Sequence, residues 1–131
     1  MLLLLAASLL LRTGILIYEP RSLGEEIQEK ASLALREVTQ PGDDVLTCTP
    51  SVVFLADRQV ANLCGADIPN FESSEAFIAW MEAQDFEAIY LDRAVPPVLK
   101  DLILDQRGRA LTQVFGDQNE EVYIYRLNRD D

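Results

Sequence analysis

Ala88-Ile89-Tyr90-Leu91-Asp92 is nearly continuous in apolar character and ends on a carboxylate, the pattern of a central strand buried on both faces of a parallel sheet. A strand of this kind needs helices above and below it, and the flanking sequence supplies them. Upstream, Ser73 or Ser74 can cap a helix in which Phe77, Trp80, Met81 and Gln84 share a face, and the aromatic pair reads as core. Before that helix, Gln59 to Leu63 reads as a strand, followed by a loop from Gly65 to Asn70 that carries Pro69. Val45-Leu46-Thr47-Cys48 reads as another short buried strand, after which Thr49-Pro50-Ser51 opens a short helix through Val52, Val53 and Leu55. Further upstream, Ser22-Leu23-Gly24-Glu25 has the spacing of a capping box. Leu23, Ile27, Ala31, Leu35 and Val38 then form one apolar stripe, and Pro41-Gly42 stops the helix.

Downstream of the central strand, Pro96-Pro97 pre-sets the first turn of a helix that uses Leu99, Leu102 and Ile103 and ends around Arg107-Gly108. Leu111 to Phe115 and Val122 to Leu127 flank Gly116-Asp117-Gln118-Asn119-Glu120, the pattern of an antiparallel hairpin. The alternation of helices and strands predicts an α/β fold: a three-layer domain with a mostly parallel sheet, closed at one edge by the C-terminal antiparallel hairpin and preceded by an N-terminal hydrophobic helix. The chain of 131 residues leaves room for one such domain, expected over residues 19–131.

Residues 1–18, MLLLLAASLLLRTGILIY, are apolar except for Ser8, Arg12, Thr13 and Gly14. As a helix rising about 1.5 Å per residue, this stretch would just cross a hydrocarbon layer of about 30 Å. Arg12 opposes insertion by roughly 2.5–3.5 kcal/mol, which the leucine run and snorkelling can offset. Three readings follow: a membrane helix or its remnant, a signal sequence, or an ordinary buried helix. The signal reading lacks a basic region before the apolar run and a good small-residue cleavage site after it. Both of the first two put the rest of the chain on the extracytoplasmic side.

Twenty-two acidic residues against eleven basic ones give a net charge of −11, which has the wrong sign for nucleic-acid binding. All the acidic residues follow Tyr18, so an anchored domain would hold them clear of anionic lipid. The absence of His removes the usual imidazole base and the commonest zinc ligand. No metal site and no cofactor is read from the sequence. Cys48 and Cys64 each sit at or just after a predicted strand end; they form either a disulfide, if those strands are neighbours, or two small buried thiols.

In open α/β sheets ligands bind beyond the carboxyl ends of the strands, which directs attention to Thr49, Pro50 and Ser51 and to Asp92 and Arg93. Cys48-Thr49-Pro50-Ser51 has no glycine and no N–H at Pro50, so it cannot be a dinucleotide-binding turn. A serine nucleophile elbow is absent. Asp92-Arg93 reads as a strand-end ion pair or capping pair, and no catalytic residue is assigned.

The terminal hydrophobic helix, PGDDVL at 41–46, TPSVVFLADRQV at 49–60, FEAIYLDR at 86–93 and the closing VYIYRL at 122–127 resemble the C-terminal extracytoplasmic domain of bacterial polytopic glycosyltransferases. These are the membrane enzymes similar to protein O-mannosyltransferases and aminoarabinose transferases. The resemblance spans the chain from about Ile15 onward. At Asp57-Arg58 relatives often carry Gly-Arg, and Asp57 departs from that pattern at a position where φ > 0 would favour Gly. The resemblance implies a non-catalytic domain tethered through its N-terminal helix, with the transmembrane glycosyltransferase core and a polyprenyl-phosphate-linked sugar as partners. The family's catalytic carboxylates lie in a loop that has no counterpart here. Thr49, Ser51, Arg58, Asp92 and Arg93 are the contact residues expected on that basis. The alternative is an independent membrane-tethered domain that binds a protein or a small ligand.

Overall fold

The computed structural model describes residues 23–65 and 67–128. In chain order the elements are α1 (Leu23–Val38), β1 (Asp44–Thr47), α2 (Pro50–Leu55), β2 (Gln59–Asn62), α3 (Ser74–Ala83), β3 (Phe86–Leu91), α4 (Pro97–Asp105), β4 (Leu111–Asp117) and β5 (Val122–Leu127). The expected hydrophobic helix at 1–18 and the Ser22 cap lie outside the described residues.

The five strands form one sheet in the order β2-β1-β3-β5-β4. β1 pairs in parallel with both β2 and β3, while β5 runs antiparallel to both β3 and β4. The expectation of a mostly parallel sheet is therefore corrected: two ladders are parallel and two antiparallel. The cause is the hairpin, whose second strand, β5, inserts beside β3 and leaves β4 at the edge.

Alternation along β3 sends its side chains to two cores. Ala88 and Tyr90 pack with Val45, Ile124 and the α1–α2 side chains Ile27, Ala31, Leu35, Val52 and Val53. Ile89 and Leu91 pack on the opposite face with Leu46, Tyr125 and the α3–α4 side chains Phe77, Met81 and Ile103. Helices thus cover both faces of the sheet, and the near-continuous apolar character of β3 is explained. Each large side chain fully buried in this way contributes roughly 1.5–3 kcal/mol.

Local signals set the boundaries. Asp43 N–H donates to Gln40 O at 3.0 Å, with Pro41 and Gly42 between them and Gly42 at φ +92°, which fits a type II turn delivering the chain from α1 into β1. Ser73, not Ser74, caps α3: its Oγ accepts from Ala76 N–H at 3.1 Å. Ser74 is buried instead, donating to Asp105 and accepting from Gln106 Nε2 at 2.8 Å, which ties the start of α3 to the end of α4. The face predicted for α3 holds only in part. Phe77 and Met81 are fully buried, but Trp80 is half-buried against Phe71, Phe77 and Phe86, and Gln84 is exposed where the helix has ended.

Candidate functional site

The carboxyl edge of the parallel strands gathers most of the residues singled out in the sequence. Thr49 leaves β1 and precedes Pro50 at the start of α2. Its hydroxyl does not cap that helix; it donates to Asp92 Oδ2. Asp92 Oδ1 accepts the N–H of Ala94 at 3.0 Å, so both carboxylate oxygens hold the loop that leaves β3. Thr47, buried beneath, accepts Thr49 N–H at 2.8 Å through its Oγ1. Together these contacts join the ends of β1 and β3 and leave Asp92 acting as a structural clamp.

Arg93 points away from that clamp. Its Nε donates to Glu121 Oε2 at 2.9 Å and its Nη2 to Asn119 O at 3.4 Å, in the hairpin loop before β5. Both side chains of the Arg93–Glu121 pair are more than half exposed, and such a pair is worth about 0–1 kcal/mol. Arg93 can therefore exchange Glu121 for an anionic ligand group at little cost. A small cleft of about 170 Å³ opens beside it, lined by Ile27, Gln28, Tyr90, Asp92, Glu120 and Val122 among others. Burial, reinforced by the nearby Asp92 carboxylate, raises the Tyr90 phenol well above its ordinary pKa, so Tyr90 is a neutral wall of this cleft at pH 7.

Ser51 is exposed in the first turn of α2 at the same edge. Arg58 is not brought to the site, a correction to the sequence reading. It precedes β2 and so lies at the amino edge of the parallel strands, where its guanidinium donates to Arg36 O, Thr39 O, Thr39 Oγ1, Ala56 O and Asp57 O. Four of these are carbonyls at or just past the ends of α1 and α2 and the fifth is the Thr39 hydroxyl, so Arg58 is a helix-terminating clasp.

Of the two readings for the cysteines, the disulfide is the one found. Cys48 and Cys64 are bonded, with Cα atoms 5.2 Å apart and a sequence separation of 16, at the ends of the neighbouring strands β1 and β2. A second cleft of about 320 Å³ lies alongside, lined by Leu63, Cys64, Ile68, Phe71, Pro96 and Leu99 among others, with the exposed Val98 at its rim. Among the described residues no cluster of His, Cys, Asp or Glu could hold a metal ion. No helix among them is long and apolar enough to cross a membrane.

Sequence reasoning missed Glu121 and Asn119 as the partners of Arg93, and Gln28 and Tyr90 as cleft walls. The first pair could not be found without knowing that β5, and not β4, lies beside β3. Tyr90 carried a signal: alternation from Ile89 puts it on the α1 face. Compared with known proteins, the chain matches no protein-family model, no curated protein and no solved structure.

Proposed function

We propose that this chain is a non-catalytic extracytoplasmic domain that covers the membrane-embedded part of a glycosyltransferase using polyprenyl-phosphate-linked sugars. The observation that carries the proposal is the Cys48–Cys64 disulfide, a bond that persists in oxidising compartments and is rare in the cytosol. It agrees with the apolar run at 1–18, which would tether the domain on the outer side of the membrane. Only four residues, 19–22, separate that run from α1 in sequence, so the start of α1 would lie close to the membrane surface. Ile27 and Gln28, close to the start of α1, border the cleft beside Asp92 and Arg93. The carboxyl edge of the sheet is thereby the edge held nearest the membrane, and Arg93 is the cation presented to a lipid-linked sugar phosphate. Asp92, with both oxygens engaged, keeps the β3 loop in place and takes no part in proton transfer.

Topology and contact can be tested together. The full chain is expressed with a photo-crosslinking residue at position 93 in a bacterial host, and its thiols are alkylated in intact cells without reductant. Protected thiols, an externally protease-sensitive domain and crosslinks to a multi-span membrane glycosyltransferase are expected. Two freely alkylated cysteines in a cytoplasmic domain would overturn the proposal.

A further inference from the structure

β2 is an edge strand, and among the described residues no strand pairs with its outer side. Gln59 N–H donates to Asp43 O at 3.1 Å and Leu63 N–H to Thr47 O at 2.9 Å. Alternation then turns the N–H and C=O of Val60 and Asn62 away from β1, and among the described residues no strand lies beyond them. Edge strands are commonly protected by charge, proline or a bulge. The other edge, β4, has such a bulge between Gln113 and Phe115, whereas Gln59-Val60-Ala61-Asn62 carries neither charge nor proline and its ladder with β1 is regular.

A groove of about 410 Å³ runs along β2. Trp80, Phe86, Ile68 and Ala61 provide apolar wall, and Asp44 and Asp67 provide acid, with no basic residue lining it. Trp80 is half-buried, so one part of its indole is available to a docked side chain.

We infer that the β2 edge and its groove bind an extended peptide segment that presents an apolar and a basic side chain two residues apart on one face, added to the sheet as a sixth strand. The backbone of Val60 and Asn62 supplies the hydrogen bonds, Trp80 and Phe86 receive one apolar side chain, and Asp44 and Asp67 select Lys or Arg over acidic residues. This site is remote in the sheet from Arg93, since β1 and β3 lie between β2 and the hairpin loop. It stands independently of the glycosyltransferase proposal.

Trp80 is the single tryptophan of the chain and reports on the groove directly. The full chain in detergent micelles is titrated with an acetylated octapeptide in which valine and lysine take turns at every second position with threonine between them, so that both share one face, and with its glutamate-for-lysine twin. A saturable shift of Trp80 emission with the lysine peptide and none with its twin is expected. Val60→Pro removes an outward N–H that the β1 ladder does not use, so it should keep the native melting transition and weaken binding by roughly tenfold or more. The Asp44→Asn, Asp67→Asn double variant leaves the backbone untouched and should weaken binding about three- to tenfold; it decides the matter if Val60→Pro does not fold. Equal binding by both peptides, or unchanged binding in the double variant, would overturn the inference. So would a concentration-dependent dimer that Val60→Pro abolishes, because the edge would then pair with a second copy.

Discussion

Arg58 spends its guanidinium on five acceptors from the ends of two helices, including Thr39 Oγ1 at 2.8 Å and Thr39 O at 3.1 Å. Several of those carbonyls are orphaned by helix termination and have no intrahelical donor. Hydrogen bonds from a charged donor contribute about 1.5–3 kcal/mol before solvent screening, so Arg58→Ala should lower stability by about 2–3 kcal/mol in urea unfolding. Arg58→Lys should recover less than half, because a point charge cannot span the fan of acceptors. The preceding Asp57 adopts φ +57°, a conformation that costs a residue with a Cβ about 1–2 kcal/mol and costs Gly nothing sterically. Against a backbone-entropy loss of about 0.5–1 kcal/mol, Asp57→Gly should raise stability by about 0.5–1 kcal/mol, read as a higher urea midpoint. The positive φ was not legible in the residue itself, because Asp57 lacks the glycine that marks such a turn. Nor was the role of Arg58, because a helix-end clasp and a ligand-binding cation look alike until the carbonyls around them are placed. Its position before β2 nevertheless carried the warning that it belongs at the amino edge.

Among the elements, α1 and α2 are locked reciprocally. Arg36 of α1 donates to Leu55 O and Ala56 O at the end of α2, while Arg58, just after α2, reaches back to Arg36 O and Thr39 O. The disulfide acts at the opposite edge, joining the exits of β1 and β2. A cross-link closing a loop of this length stabilises by about 3 kcal/mol in the chain-entropy account. Reduction, or the Cys48→Ala, Cys64→Ala pair, should lower the unfolding free energy by about that amount while leaving the far-UV spectrum of the folded state unchanged; a loss below about 1 kcal/mol would mean the unfolded chain is already compact there. Element identity was largely readable from the sequence, since each helix and strand is announced by its own periodicity and by Pro, Gly or Ser at its end. Strand order was not, because nothing local to Leu111–Asp117 or Val122–Leu127 says which of the two will meet β3. The groove along β2 escaped for the same reason: Trp80 looks like core until Phe71, Phe86 and the edge strand are placed around it.

For the molecule as a whole, the sheet's two cores contain tyrosines whose neutrality is built into the fold. Burial raises the pKa of Tyr90, with the Asp92 carboxylate adding to it, and burial likewise raises that of Tyr125 against the opposing pull of Arg107. Arg107 stands near enough to exert that pull, yet Tyr125 Oη is left without a hydrogen bond of proper geometry among the described residues. Its hydroxyl is thus a buried polar group carried at a net cost, and Tyr125→Phe should stabilise the domain by up to about 1 kcal/mol at neutral pH. The alkaline limb has a definite sign. An unfolded tyrosine loses its proton near pH 10 while Tyr90 and Tyr125 in the folded state keep theirs, so the folded chain binds more protons and stability falls as pH rises above about 10. Ionising tyrosines also adds to a net charge already at −11, which further penalises the compact state. With no histidine in the chain, no imidazole contributes to stability changes between pH 6 and 8. Urea midpoints for the wild type and for a Tyr90→Phe, Tyr125→Phe variant should therefore run parallel across neutral pH and separate only above pH 10, the variant falling more gently. Identical alkaline slopes would show that both phenols already ionise within the native state.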